Sequence, residues 1–308
     1  MHLIYFENGN ERFCYVVMQN DISECSKFHG LIKKDEYFDW ETPYGYGGPL
    51  CDVDISKESQ LLFLEEIKMY CKEHNIVSQF VRFHPMLNNF GCLNMVLENR
   101  YLRDTIYIDT SDKDLIMKNM DSKNRNMVRK AIKNEVTVVQ KDITEYHDFV
   151  DLYIATMRKN NADEYYIFEN DYFEYLSNMK ENACMFYAMY EDKPISGAIM
   201  FYNKHSMHYH LSGSDILYRQ FSPSNLMLYE AALWANSRGI KGFHLGGGMN
   251  PDDSLFGFKK QFNKNGRLPF YVGRTIFSQE KYDELLAKRK AADDTFDIEN
   301  SIMIQYRR

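Results

Sequence analysis

Nowhere in the sequence do apolar residues run for the ~18 positions that a membrane-crossing helix needs. The start, Met1-His2-Leu3-Ile4-Tyr5-Phe6-Glu7, has neither a basic flank nor a long apolar stretch. The expectation is a cytoplasmic chain without an export signal or transmembrane segment. Cysteine is present but not in the spacings that carry chemistry: Cys14, Cys25, Cys51, Cys71, Cys92 and Cys184 are scattered, with no C-x-x-C pair. That excludes a zinc ribbon and a disulfide framework, so no metal site is expected and the thiols read as reduced. Positive charge is lacking too. A formal net charge of −7 argues against a protein that coats nucleic acid, because neutralising phosphates takes a dominant basic surface, and leaves room only for a local basic patch. There is no G-x-S-x-G elbow, hence no sign of a serine-hydrolase nucleophile.

What is present is ample core. With 308 residues, 44% apolar and 26% charged, the chain is globular and long enough for two lobes. The 23 tyrosines and 21 phenylalanines supply core and cleft walls, or a stacking surface for a sugar or base. Cys14 to Gln19 reads as a strand, and Thr42-Pro-Tyr-Gly-Tyr-Gly-Gly-Pro49 as an irregular loop. Ser56 to His74 has helical spacing. Val77 to His84 reads as a strand with Phe80, Arg82 and His84 on one face and Val77, Val81 and Phe83 on the other. A similar series follows Ala183: a hairpin (Met185 to Tyr190, Ile195 to Tyr202), a strand from Ser206 to Ser212, and a helix opened by Ser222-Pro223. In that helix Leu226, Tyr229 and Leu233 share a face, and Gly239 stands where a C′ residue belongs. Ile76 and Ile240 both follow a helix end, 164 residues apart; the same offset lays Leu62 on Leu226 and Tyr46 on His210. A duplicated unit is the economical reading. The boundaries predicted are 1–140 for a first lobe read as incomplete at its start, 141–290 for a second, and 291–308 for a charged tail.

Between the units Arg125, Arg129 and Lys133 form one helical stripe, either solvated or facing phosphate. On the strand Met207 to Gly213, alternation places His208, His210 and Ser212 on one face. A histidine there either satisfies a cleft or accepts a proton from an incoming ammonium, and His210 is the candidate base. Gly246-Gly247-Gly248 follows a strand and precedes a short helix, so the run is a tight turn or an anion cradle. Ser222, Ser224 and Asn225 open the long helix beside Arg219. Phe258 and Lys259 lie on the short helix, where the lysine could meet developing negative charge.

In order, His208-Tyr-His-Leu-Ser-Gly-Ser214, Ser222-Pro-Ser-Asn-Leu226, Trp234-Ala-Asn-Ser-Arg-Gly239, Phe243-His-Leu-Gly-Gly-Gly248 and Asp253-Ser-Leu-Phe-Gly-Phe-Lys259 resemble the Fem and BioF2-like acyltransferases. These are Gcn5-related (GNAT-like) proteins. Pro43-Tyr-Gly-Tyr-Gly-Gly48 and Ser122 to Ala131 extend the likeness over most of the chain. The resemblance implies an α/β fold of tandem GNAT-like lobes, mixed central sheets flanked by helices, with the first lobe shortened. It implies an enzyme that joins an activated acyl group to an amine on an amino sugar or cell-envelope precursor; the Phe-Lys pair of Fem members falls on Phe258 and Lys259, and Lys259 is expected to be catalytic together with His210, the base read from its strand. No tightly bound cofactor is implied; the co-substrate is acyl-CoA, a carrier-bound acyl group, or, as in Fem members, aminoacyl-tRNA for a peptidoglycan precursor. The partners follow: an acyl donor, an amine-bearing acceptor, tRNA on the Fem reading, and transient contact with a lipid-linked precursor. Donor-binding residues would be Arg219, Ser222, Ser224, Asn225, Gly246, Gly247, Gly248 and Phe258; acceptor-binding residues Tyr44, Tyr46, Arg82 and His84. One departure matters: the GNAT pyrophosphate loop, Gln/Arg-x-x-Gly-x-Gly/Ala, is replaced by Arg219-Gln-Phe-Ser-Pro-Ser224. A non-catalytic binding protein that kept the fold is the reading from another class.

Overall fold

The computed structural model describes residues 1–162 and 164–307. Its compact units are Met1–Arg103 with Pro269–Arg308, the first lobe, and Asp104–Leu268, the second.

The first lobe contains β1 (His2–Asn8), β2 (Glu11–Asp21), β3 (Phe38–Glu41), β4 (Leu50–Cys51), α1 (Lys57–Glu73) and β5 (Ile76–Arg82). β6 (Glu98–Asp109) begins in this lobe and ends in the second, followed by α2 (Lys113–Asn119), α3 (Ser122–Lys133), β7 (Thr137–Asp142), α4 (His147–Lys159) and α5 (Asn170–Ser177). Then come β8 (Ala183–Tyr190), β9 (Lys193–Tyr202), β10 (Ser206–Ser214), α6 (Pro223–Ser237), β11 (Gly242–Gly246) and α7 (Ser254–Lys260). β12 (Arg267–Ile276) and α8 (Gln279–Ala292) return the chain to the first lobe.

The lobes share one strand order. In the first, β1, β2 and β3 pair antiparallel in sequence, β3 lies parallel to β5, and β5 antiparallel to β12, with β4 on β2. In the second, β8, β9 and β10 pair antiparallel, β10 lies parallel to β11, and β11 antiparallel to β6. The last strand is exchanged: β6, which follows β5 in the chain, completes the second sheet, and β12, which follows β11, completes the first. This exchange places α2, α3 and the end of β6 in the second lobe. β7, α4 and α5, which precede β8, have no counterpart before β1 among the described residues. The fold is α/β with tandem GNAT-like lobes, the first shorter.

Packing follows the same plan. α1 buries Phe63, Ile67 and Cys71 against Phe13, Trp40 and Val81; α6 buries Leu226, Met227 and Ala231 against Met200, Phe243 and Leu245. α6 also meets α3 through Val128 and Ala131, so its buried surface is wider than the stripe of Leu226, Tyr229 and Leu233: Met227, Leu228, Ala232 and Ala235 are fully buried. The opposite face of the second sheet is covered by Phe149 and Tyr153 of α4 and Phe173 of α5. In the first lobe α8 covers that face, with Phe296, Ile304 and Tyr306 from the segment expected as a charged tail. Tyr306 donates to the Asp39 carboxylate at 2.9 Å.

Local geometry departs from the simple periods in three places. A bulge sends Val77 to the same face as Phe80, away from Val81 and Phe83. A second bulge at His210 breaks the expected face of His208, His210 and Ser212: Ser212 turns to the α6 side with Tyr209, and the two histidines keep the other. Third, Ser222 does not cap α6 with its side chain. At φ 58° its hydroxyl points away from the first turn and donates to Met127 Sδ at 3.3 Å. Ser56, with extended backbone, caps α1 by accepting from Ser59 N at 3.2 Å.

Candidate active site

The parallel strands of the second lobe part early. Ser206, Met207 and His208 pair with Gly242, Phe243 and His244, and there pairing stops, although β10 continues to Ser214 and β11 to Gly246. Lys259 of α7 stands across the opening. Its Nζ donates to the Gly247 carbonyl just past β11 at 2.7 Å and lies 5.8 Å from the Tyr209 ring centre on β10. The side chain is buried, with 8% of the residue exposed. Burial pushes its pKa down to about 8, the charge of Asp253 acting against the fall. Burial likewise pushes the Tyr209 hydroxyl up to about 12, opposed by a hydrogen bond with Ser212.

Asp253 sets the start of α7. Its Oδ1 accepts from Phe256 N at 2.8 Å, and its Oδ2 from Met249 N and Asn250 N at 2.7 and 2.9 Å. Burial disfavours its charge, but these amides outweigh that cost and hold the carboxyl below its usual range. The carboxylate presses on Gly248, where a Cβ would stand 2.1 Å from Oδ1. The glycine turn therefore wraps the protein's own anion. Gly246, at φ 76°, ends β11, and Gly247 supplies the carbonyl for Lys259. Phe258 packs against Phe262, ring centres 5.3 Å apart, on the α6 side of the core.

At the start of α6 the polar side chains already have partners. Ser224 Oγ lies 3.0 Å from Ser196 Oγ, and Asn225 Nδ2 donates to Asn124 Oδ1 at 2.7 Å. Asn124 is fully buried on α3 and its own Nδ2 has no hydrogen-bond partner among the described residues. Arg219 is exposed on the turn before α6. Of the basic stripe, Arg125 folds back to the Met120 carbonyl, while Lys123, Arg129, Lys130 and Lys133 are exposed and form no salt bridge among the described residues.

His210 stacks on Phe201 at 4.1 Å, and its Nε2 lies 2.6 Å from the Tyr172 hydroxyl. Burial lowers its pKa to about 4, so the ring is neutral at neutral pH. It occupies the α4–α5 side of β10, whereas Lys259 sits against Tyr209, whose side chain takes the other. Two further residues come into view only in three dimensions. His208 Nδ1 lies 3.0 Å from His244 Nδ1, and His244 Nε2 lies 2.9 Å from Thr105 Oγ1. The only sequence signal for His244 is its place before the glycines; Thr105 carries none.

Residues 118–260 match the profile of the Acetyltransferase (GNAT) domain. This chain is similar to GNAT acetyltransferase domains over just under half of its length. No curated protein matches it in sequence. Solved structures are similar along most of both chains. FemX superposes with a TM-score of 0.63 at 13% identity, covering 88% of this chain and 90% of FemX. L-PGS from Bacillus licheniformis gives 0.53 at 11%, covering 93% and 88%. A conserved protein of unknown function from Bacteroides thetaiotaomicron gives 0.55 at 11%, covering 89% and 86%. At these identities the likeness is one of fold. Among the described residues no helix is long and apolar enough to cross a membrane.

Outside the matched residues, the first lobe closes the equivalent strand pair. Thr42 N donates to Phe80 O at 3.0 Å, and Gly47 N to Arg82 O at 2.7 Å, extending the parallel contact to Phe83. Asn89 Nδ2 ties the loop down through the Gly47 and Pro49 carbonyls, each at 3.0 Å. Arg82 donates to Thr42 O at 3.0 Å and pairs with Glu41 at 2.9 Å, so its guanidinium braces this loop. Tyr44 is exposed. Tyr46 lies edge-on to Phe270 at 5.1 Å and 5.9 Å from His84, whose pKa burial lowers.

Proposed function

We propose that the protein is an N-acyltransferase, forming an amide between an activated acyl group, carried as an acyl-CoA or carrier-bound thioester, and an amine of an amino sugar or cell-envelope precursor. The observation that carries this reading is the opening between β10 and β11 with Lys259 across it, inside the residues similar to GNAT domains. An acyl carbonyl placed in the opening would leave the strand edges as walls. Of the three Lys259 N–H groups one goes to Gly247 O, and the others can meet the oxyanion of the tetrahedral intermediate. With a pKa of about 8 the lysine is mostly protonated at neutral pH, yet acidic enough to protonate the departing thiolate. Beside the start of α6, the Nδ2 of buried Asn124, without a hydrogen-bond partner among the described residues, supports a polar donor group there.

A second reading, transfer from aminoacyl-tRNA, is favoured by the exposed basic residues of α3 and by the engaged side chains at the start of α6. The fold likeness to FemX and L-PGS is compatible with it. One panel tests both: thermal shift with acyl-CoAs, acylated carrier protein and aminoacyl-tRNA, then single-turnover amide formation with the donor that stabilises. Stabilisation by an acyl thioester, followed by amide, supports the first reading. Stabilisation by charged tRNA alone supports the second, and no donor binding at all returns the protein to the non-catalytic class.

A further inference from the structure

Two cysteines far apart in the sequence meet in the first lobe. Cys51 ends β4 directly opposite Phe13 of β2, so both side chains leave the sheet on the α1 side. Cys92 follows the single helical turn Asn89–Gly91 and packs on the same core. The two segments are bound together before either cysteine is reached. Asn89 Nδ2 donates to the Gly47 and Pro49 carbonyls at 3.0 Å each, and Asn89 Oδ1 accepts from His84 N at 2.9 Å. The approach is close: a Cβ on Gly48 would stand 3.3 Å from Asn89 Nδ2. Beyond this clamp the two thiols share a hydrogen bond. That bond favours the thiolate at Cys92, lowering its pKa to about 7 against burial and the charge of Asp54. It favours the thiol at Cys51, which burial and Asp52 push up further.

The other cysteines are placed differently. Cys14 pairs with Leu50, so its side chain leaves β2 on the face opposite Phe13 and Cys51. Cys71 and Cys184 are buried, and burial pushes both thiols up, Cys184 to about 12. Cys51 and Cys92 are each partly exposed, flanked by exposed Asp52, Gly91 and Asn94. A small oxidant in solution can reach them.

We propose that Cys51 and Cys92 are a peroxide-sensitive dithiol that closes to a reversible disulfide. The proposal does not depend on the acyl-transfer reading. The Cys92 thiolate attacks one oxygen of hydrogen peroxide, the O–O bond breaks, and Cys92 becomes a sulfenic acid while hydroxide leaves and takes up a proton as water. The Cys51 sulfur then attacks the Cys92 sulfur, the S–O bond breaks, and the departing hydroxyl leaves as water with the Cys51 proton. Two electrons pass from the sulfurs to the peroxide, and two thiols with one peroxide give one disulfide and two waters. The new bond ties β4 to the segment beyond β5 and locks the closed joint that Gly47, Arg82 and Asn89 already hold by hydrogen bonds.

The intact protein, reduced and then freed of reductant, is treated with hydrogen peroxide in small excess, its remaining thiols are alkylated, and its unreduced peptides are weighed by mass spectrometry. The Cys51 and Cys92 peptides are expected joined, two hydrogens lighter than their sum, and separated by dithiothreitol. Recovery of both as separate alkylated peptides, or of Cys92 joined to Cys14 or Cys25, overturns the pair. Cys51→Ser should leave a sulfenic acid at Cys92 that dimedone traps, and Cys92→Ser should lose trapping at Cys51. Equal trapping at Cys51 in Cys92→Ser would overturn Cys92 as the attacking thiol. Oxidised wild-type protein should unfold at a higher temperature than reduced, because the bond restricts the unfolded chain, and Cys51→Ser should show no such rise. An unchanged wild-type midpoint overturns the locking of the joint.

Discussion

The two lobes use one strand order and differ at one joint. In the first, the parallel pair β3–β5 continues into Thr42, Gly47 and Phe83, closed by backbone hydrogen bonds and by Arg82 and Asn89. In the second, β10–β11 stops after three residues, and a bulge and a buried lysine occupy the same place. Each closing hydrogen bond would contribute about 1 kcal/mol, and a desolvated ammonium costs stability. The second lobe therefore gives up local stability where the first collects it. That is the pattern expected when one copy of a duplicated fold keeps a site and the other serves as structure.

The sharpest way to break this comparison is Lys259→Met. Amide formation should fall by ~10²-fold or more, while stability at neutral pH should hold or rise because a buried charge is gone. The pH dependence carries a definite sign. Folding lowers this lysine's pKa from 10.5 to about 8, so between those values the unfolded chain binds more protons and stability rises with pH. Activity runs the other way, falling as pH passes about 8. Lysine replaced by methionine should remove both trends. Full activity of the wild-type protein at a pH well above 9 would contradict the role.

Much of this contrast was legible beforehand. The hairpins, the helix after each glycine- or proline-marked loop, and the offset relating Ile76 to Ile240 follow from local periods, and the ordered motifs from His208 to Lys259 pointed to the fold. What escaped has physical causes. A bulge adds one residue to a strand, and period-2 reasoning then misplaces every side chain beyond it, as happened at Val77 and at Ser212. The exchanged strands β6 and β12 cannot be foreseen from pattern, because pairing partners are set by distant sequence. Thr105 and His244 meet only through that exchange. Arg82, Ser222, Ser224 and Asn225 were reasonable ligand candidates by type, yet the fold engages each of them internally.

A smaller but still large effect is expected at Gly213, near the end of β10. A Cβ there would stand 2.4 Å from Leu152 C and 2.5 Å from Leu152 O and Tyr153 N, all backbone atoms of α4. Neither partner can rotate away, so Gly213→Ala must shift the strand or the helix and should cost about 3 kcal/mol in urea unfolding. The free end of β10 is held onto α4 here instead of onto β11. Near-native stability of Gly213→Ala would mean that α4 does not hold the strand apart from its neighbour.

The mildest test asks whether the lobes are equivalent where they look alike. Asn75 after α1 and Gly239 after α6 stand at the same offset and share a left-handed backbone, φ 54° and 73°. Gly239→Ala should cost about 1 kcal/mol, since a Cβ is disfavoured there although no atom lies within 4 Å of it. Gly239→Asn should cost less, because asparagine tolerates this conformation, and Asn75→Gly should gain a few tenths of a kcal/mol. If asparagine at 239 proved as harmful as alanine, the two helix ends would differ in more than sequence, and the repeat would hold for the strands but not for the turn that leads into β5 and β11.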